Sequence, residues 1–377
     1  MARLPCGESA QAPYSVNNQK GATPSNPQST QASLLLHKMI SGLSHLPNTF
    51  DRPLERWIAA GSALVCCAGL AYLLVIVWAG SSATWTALQQ IGAGIIAIGM
   101  AACGLSLLVR FSRWQLILAQ LGHRLPTGFS LRVYLAGMAL SATPAKLGET
   151  MRSALLLARG VPARHSLGGF VADRLSDLIG VAALGAAAAA LAGRRQPVLE
   201  AVAALAVVGA AVGARCWQAS TGASRPATTR SRGAVGRWLA LAGAPIRAWA
   251  EAWRGWRPLA YSAFAVLAYG IQALIFAAYL ARVAPAIGTA DGVAIFSSAT
   301  LIGAVTLVPG GLGAMDSALV LQLQSRGVGL PEALAVALAA RASTLWLTWL
   351  IGLGALLSFV GMRPRRATQP AQDQGLA

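Results

Sequence analysis

Eight apolar runs dominate the chain: 57–79, 91–109, 129–143, 166–192, 198–217, 258–281, 291–308 and 330–361. A helix needs about 20 apolar residues to cross the hydrocarbon core of a bilayer. Most of these runs meet that length, and a water-soluble domain has no use for so many. Only 11% of the residues are charged, against about 25% in a soluble domain. An ordinary cytosolic enzyme, a nucleic-acid-binding domain and a disordered chain are excluded. The expected fold class is an all-α polytopic membrane protein. Its forty glycines fit close helix packing in lipid.

The charges then predict topology. Thirty basic residues stand against 12 acidic ones, and they fall mostly between the apolar runs, where they favour the cytoplasm. Segment 80–90 carries no charge and is expected outside. Segment 110–128, with Arg110, Arg113 and Arg124, is expected inside. So is 218–257, where seven arginines face only Glu251.

Runs 129–143 and 291–308 are short, and each ends at a proline, Pro144 or Pro309. Amphipathic pieces follow, at 146–158 and 311–325. Each pair reads as a re-entrant hairpin, 129–158 and 291–325. Such broken backbone is tolerated at membrane depth where protein or a water-filled cavity covers it. About six full spans plus two hairpins place both termini in the cytoplasm, at the cost of putting Arg194 and Arg195 outside. Residues 1–50, rich in Ser, Asn, Gln and Pro, read as a disordered cytoplasmic tail, and 363–377 as a second. Within 218–257, Trp238, Ile246, Trp249, Trp253 and Trp256 share a helical face opposite Arg247, Glu251 and Arg254. That pattern suits a helix lying in the membrane interface and interrupted near Pro245, or a solvated connector.

The two hairpins also resemble each other. Pro144-Ala-Lys-Leu-Gly148 parallels Pro309-Gly-Gly-Leu-Gly313, and Arg159-Gly160-Val161 parallels Arg326-Gly327-Val328. Arg174 and Arg341 each follow fifteen residues later, in the pattern Ala-x-Arg-x-Ser. Two repeats result, 51–192 and 193–362. Each holds an odd number of crossings, so the second is expected upside down. Inverted repeats with broken helices are a device of secondary transporters, with the site at the repeat interface.

Charged residues lie within the apolar zone. Glu149 follows the first break, flanked by Lys146 and Arg152. Asp173, Arg174 and Asp177 lie a third of the way into 166–192, with the two aspartates on one face. Asp316 follows the second break, and Arg341 lies in the last run. A charge near the bilayer centre costs about 3 kcal/mol. Two readings account for it. The charges form ion pairs that clip the hairpins to their neighbours. Alternatively, Arg174 and Arg341 bind an anionic head group while the carboxylates gate it or carry a proton. Gly310, Gly311 and Gly313 supply a tight turn after Pro309, whose exposed amides also suit an anion. The cysteines lack CxxC spacing, the four histidines are scattered, and no nucleophile motif is present. No metal, cofactor or catalytic residue is expected.

Pro144-Ala-Lys-Leu-Gly-Glu149-x-x-Arg152, Asp173-Arg174-Leu-x-Asp177, Val308-Pro309-Gly-Gly-Leu-Gly313 and Arg341 ahead of Trp346 occur in that order. This set resembles the transmembrane region of the lysylphosphatidylglycerol synthases, a flippase-like family, over about residues 57–361. The resemblance implies a bacterial inner-membrane protein that moves a lipid or lipid-linked substrate between leaflets. Its implied partners are membrane lipids and lipid-synthesis enzymes, with no nucleic acid. Asp316 stands where many relatives carry glutamate, and Asp173 where Glu is common. No counterpart of the synthases' soluble aminoacyl-transferase domain is expected. Two rival readings are a membrane-embedded transferase and a non-catalytic partner subunit in a hopanoid or glycolipid pathway.

Overall fold

Helices of the expected length and apolarity are present. The structure is a computed structural model that describes residues 81–139, 159–194, 234–306 and 309–360, with Leu74, Arg152, Ser153, 155–157 and Ala201 besides. They belong to one compact unit, Glu55–Ala377. Runs 57–79 and 198–217 lie outside the described residues, but for Leu74 and Ala201. So do Pro144, Gly148 and Glu149.

The helices are α1 (Ser81–Ile91), α2 (Ala93–Gln120), α3 (Thr127–Ala139), α4 (Ala163–Leu191), α5 (Ala234–Ala252), α6 (Arg257–Val283), α7 (Thr289–Val305), α8 (Ala314–Gln324), α9 (Leu330–Arg341) and α10 (Leu347–Val360). A π-helical turn, Ala342–Trp346, joins α9 to α10 without a break. Among the described residues, four helices are long and apolar enough to cross a membrane: α2, α4, α6 and the combined Leu330–Phe359. The chain is therefore an all-α membrane protein.

Small residues set the crossings. A Cβ at Gly180 of α4 would lie 2.4 Å from the Cβ of Ala265 on α6. One at Gly352 of α10 would lie 2.6 Å from the backbone of Leu135 and Ala139 on α3. Lipid tails are as apolar as leucine, so such close contact, and not water exclusion, holds helices together.

Contacts at the two ends of α4 orient the bundle. At its N-terminal end His165 lies 2.7 Å from His123, just past α2. Just past its C-terminal end Arg194 pairs with Asp291 at 3.0 Å, at the start of α7. Arg326, just after α8, pairs with the same Asp291. Helices α7 and α8 thus enter and leave at one end of the bundle. Helix α9 starts at that end and α10 finishes at the other, where Phe359 packs edge-on against Phe129 of α3 at 6.2 Å. So α4 and the α9–α10 helix run in opposite directions.

One turn recurs. After 155–157, the amides of Arg159, Gly160 and Val161 bond to the carbonyls of Leu156, Leu157 and Leu156. After α8, those of Arg326, Gly327 and Val328 bond to Leu323, Gln324 and Leu323. Gly160 and Gly327 both take a left-handed φ, 78° and 82°, which closes a helix C-terminus.

One expectation is corrected, the interruption of a helix near Pro245. Residues 81–90 lie in α1, whose Thr84, Ala87 and Ile91 are buried. Segment 110–128 is mostly the last part of α2, because the apolar pattern continues to Gln120 around its arginines. Helix α5 runs through Pro245 without interruption and docks on α4. Gly168 of α4 leaves room for Pro245, Ala248 and Trp249 there. Its inner face holds Ala248 and Ala252, with buried Trp253 just past its end, while Ile246 is exposed, as is Trp256 beyond the helix.

Candidate functional site

Helices α2 and α4 cross with two arginines facing two aspartates. Asp173 and Asp177 lie one turn apart, on one face of α4. From α2, Arg113 donates to Asp173 Oδ1 through Nε at 2.9 Å and Nη2 at 2.6 Å, and Nη2 reaches Asp177 Oδ1 at 2.6 Å. Arg174 Nη2 reaches Asp173 at 2.6 Å and its Nη1 reaches Asp177 at 3.2 Å. Arg110 completes the set, 3.3 Å from Asp177 and 5.3 Å over the ring of Tyr269. Three guanidiniums thus share two carboxylates. Arg113 is fully buried, whereas 20% of the Arg174 side chain is exposed.

The second constellation is built at the hairpin break. Gly310, Gly311 and Gly313 all take left-handed φ, between 61° and 77°, a region costly for any residue with a Cβ. Asp316 accepts from the Gly313 amide at 2.9 Å and so caps α8. Its carboxylate also meets Arg341, Nε to Oδ1 at 2.5 Å and Nη2 to Oδ2 at 3.1 Å. Arg341 further donates to the carbonyls of Gly310 at 3.1 Å and Gly311 at 2.8 Å. The arginine therefore holds the break from α9, one residue before the π-helical turn. Such turns often mark functional positions.

The two constellations meet at a cavity of about 170 Å³. Arg110, Arg174 and Arg341 line it, with Tyr269 and Gln272 of α6, Thr300 of α7, and Gly310 and Gly311 of the break. Arg174 is the twelfth residue of α4 and Arg341 the twelfth of α9. At 1.5 Å per residue each lies about 17 Å along its helix. Because the two helices run oppositely, these depths converge on the middle of the bundle.

Of the expected site residues, Asp173, Arg174, Asp177, Asp316, Arg341, Gly310, Gly311 and Gly313 fall in these constellations. The carboxylates face the arginines and not the cavity, so of the charged set only Arg174 and Arg341 line it. Arg152 is buried, its guanidinium 4.5 Å over Tyr134 and 5.4 Å over Trp114. Glu149, Pro144 and Gly148 lie outside the described residues. Pro309 begins the short 3₁₀ turn at the break. In the sequence Arg110 and Arg113 read as topology signals only. Their spacing of three, inside a stretch whose apolar pattern continues to Gln120, is the signal that marks them as interior. Among the described residues no cluster of three His, Cys, Asp or Glu could hold a metal ion.

A family model described as the lysylphosphatidylglycerol synthase TM region matches residues 58–352. None of the curated proteins compared with the chain matches it.

Proposed function

Because the chain belongs to the lysylphosphatidylglycerol synthase TM-region family, we propose that it moves a lipid or lipid-linked substrate between the leaflets of a bacterial inner membrane. The observation that carries this reading is the cavity where Arg110 and Arg174 meet Arg341 across the hairpin break. Arginine offers several donors in a rigid fork that suits phosphate, and a lipid headgroup presents that group. A cavity reached by helices from both ends is what a translocator needs at mid-depth.

In this reading residues 51–192 and 193–362 are inverted repeats. The recurring turn at Gly160 and Gly327 supports it, as do the matched positions of Arg174 and Arg341 on oppositely directed helices. The hairpins 129–158 and 291–325 are re-entrant, and both termini and the basic segment 218–257 face the cytoplasm. Glu149, next to the first break, has the role in gating or proton transfer. The protein acts as a transporter and not as an enzyme.

The test is leaflet-resolved lipid profiling in a strain lacking the gene, restored with the native chain or with Arg174→Gln plus Arg341→Gln. Restoration of outer-leaflet lipid by the native chain alone is the expected result. An unchanged leaflet distribution with a lipid species missing from both leaflets would instead indicate a role in synthesis.

A further inference from the structure

Three polar groups of the cavity are guanidiniums, Arg110, Arg174 and Arg341. Of the others, three are acceptors that the hydrogen-bond network fixes as such, Gln272, Thr300 and Thr344, while the hydroxyls of Tyr269 and Thr348 can donate or accept. Ser106 has one hydroxyl proton and donates it to the Ala268 carbonyl at 2.8 Å. It must therefore accept from the Gln272 amide nitrogen, also 2.8 Å away. That orients the Gln272 amide and leaves its Oε1 as an acceptor to which no described residue donates. Thr300 and Thr344 each donate to a helix carbonyl at 2.7 Å, to Phe296 and Ala340. Their oxygens are left with lone pairs only. Among the described residues that line the cavity, none is a carboxylate. Asp173, Asp177 and Asp316 are each bonded to arginines.

We infer that the cavity selects a phosphate-bearing headgroup whose other substituents are uncharged hydroxyls, as in a glycerol or sugar phosphodiester, and rejects headgroups that carry an amine. This rests on the reading of the cavity as the lipid site. The phosphate meets the guanidiniums. Headgroup hydroxyls donate to Gln272 Oε1 and the two threonine oxygens. An ammonium finds no carboxylate among the described lining residues, because Asp173, Asp177 and Asp316 are already engaged by arginines, and it meets guanidiniums instead, which is discrimination by repulsion as well as by attraction. The volume of about 170 Å³ suits a headgroup and leaves the acyl chains outside.

The test uses the purified full chain in detergent and short-chain lipids. Dioctanoyl phosphatidylglycerol should bind at least roughly tenfold tighter than the phosphatidylethanolamine or lysyl-phosphatidylglycerol of the same chains. Gln272→Leu should weaken phosphatidylglycerol roughly fivefold to tenfold, the worth of one hydrogen bond to a hydroxyl. It should leave phosphatidic acid, which has no headgroup hydroxyl, unchanged. That arm also shows that the variant is folded, and Thr300→Val provides a second reading of the same loss. Equal binding of phosphatidylglycerol and its lysyl ester overturns the inference while leaving a lipid site in place. Equal loss of phosphatidic acid and phosphatidylglycerol in both variants overturns it too. Binding of none of these lipids overturns the translocation reading with it, as does full competition by soluble glycerol phosphate at the lipid's own concentration.

Discussion

Arg113 and Asp173 make a two-pronged hydrogen bond, Nε and Nη2 of the arginine to one carboxylate oxygen at 2.9 and 2.6 Å, with neither side chain exposed. The pair ties α2 to α4 in the interior of a chain whose lipid-facing surface gives such charges no water. Removing one partner of a buried pair leaves the other uncompensated, which costs about 3–5 kcal/mol.

Asp173→Ala should therefore lower membrane abundance sharply and reduce the melting temperature of whatever is recovered. Fluorescence-detected size-exclusion chromatography measures both. A variant with normal yield and melting temperature would show that α2 and α4 do not depend on this pair.

Gly180→Val should also destabilise, by overpacking. Its Cβ would fall 2.4 Å from that of Ala265, and forcing two helices apart costs about 1–3 kcal/mol. Gly104→Ala has nothing within 4 Å and should leave thermal stability unchanged. Equal effects of the two substitutions would contradict the close α4–α6 crossing.

Much of the fold was legible because the bilayer leaves few choices. Long apolar runs become helices, and a proline followed by glycines breaks one. The break at Pro309 to Gly311 between α7 and α8 follows that pattern. Arg110 and Arg113 do not read as interior, since arginines near the end of a run look like a cytoplasmic flank. What keeps them inside is their pairing with Asp173 and Asp177, some sixty residues away in sequence. The packing of helix α5 is hidden in a similar way. Its tryptophans suggested an interface-facing stripe, but the face that packs is set by Gly168 on α4, where small residues let the backbones approach. Side-chain size at a tertiary crossing cannot be read from one helix alone.

Arg341→Lys keeps a positive charge but loses the forked contacts to Asp316, Gly310 and Gly311. The break should loosen without loss of fold. Hydrogen exchange should speed up at the Gly311 to Gly313 amides and stay unchanged in α6. Unaltered exchange at the break would remove Arg341 as its clasp.

Topology is open to labelling. A cysteine at Ser82, an exposed position on α1, should react with an impermeant thiol reagent in intact cells. One at Ser220, in the basic segment, should react only after permeabilisation, in a background lacking the native cysteines. Labelling of position 220 in intact cells would overturn the two-hairpin topology.

The most direct measurement of the central claim is lipid translocation by the purified chain in liposomes. Fluorescent phosphatidylglycerol is placed in one leaflet, and its appearance in the other is followed by chemical quenching. The native chain should speed transfer well above that of empty liposomes. Arg174→Gln plus Arg341→Gln, at equal incorporation, should fall back to that background. Transfer at native rates with both arginines neutralised would contradict the account.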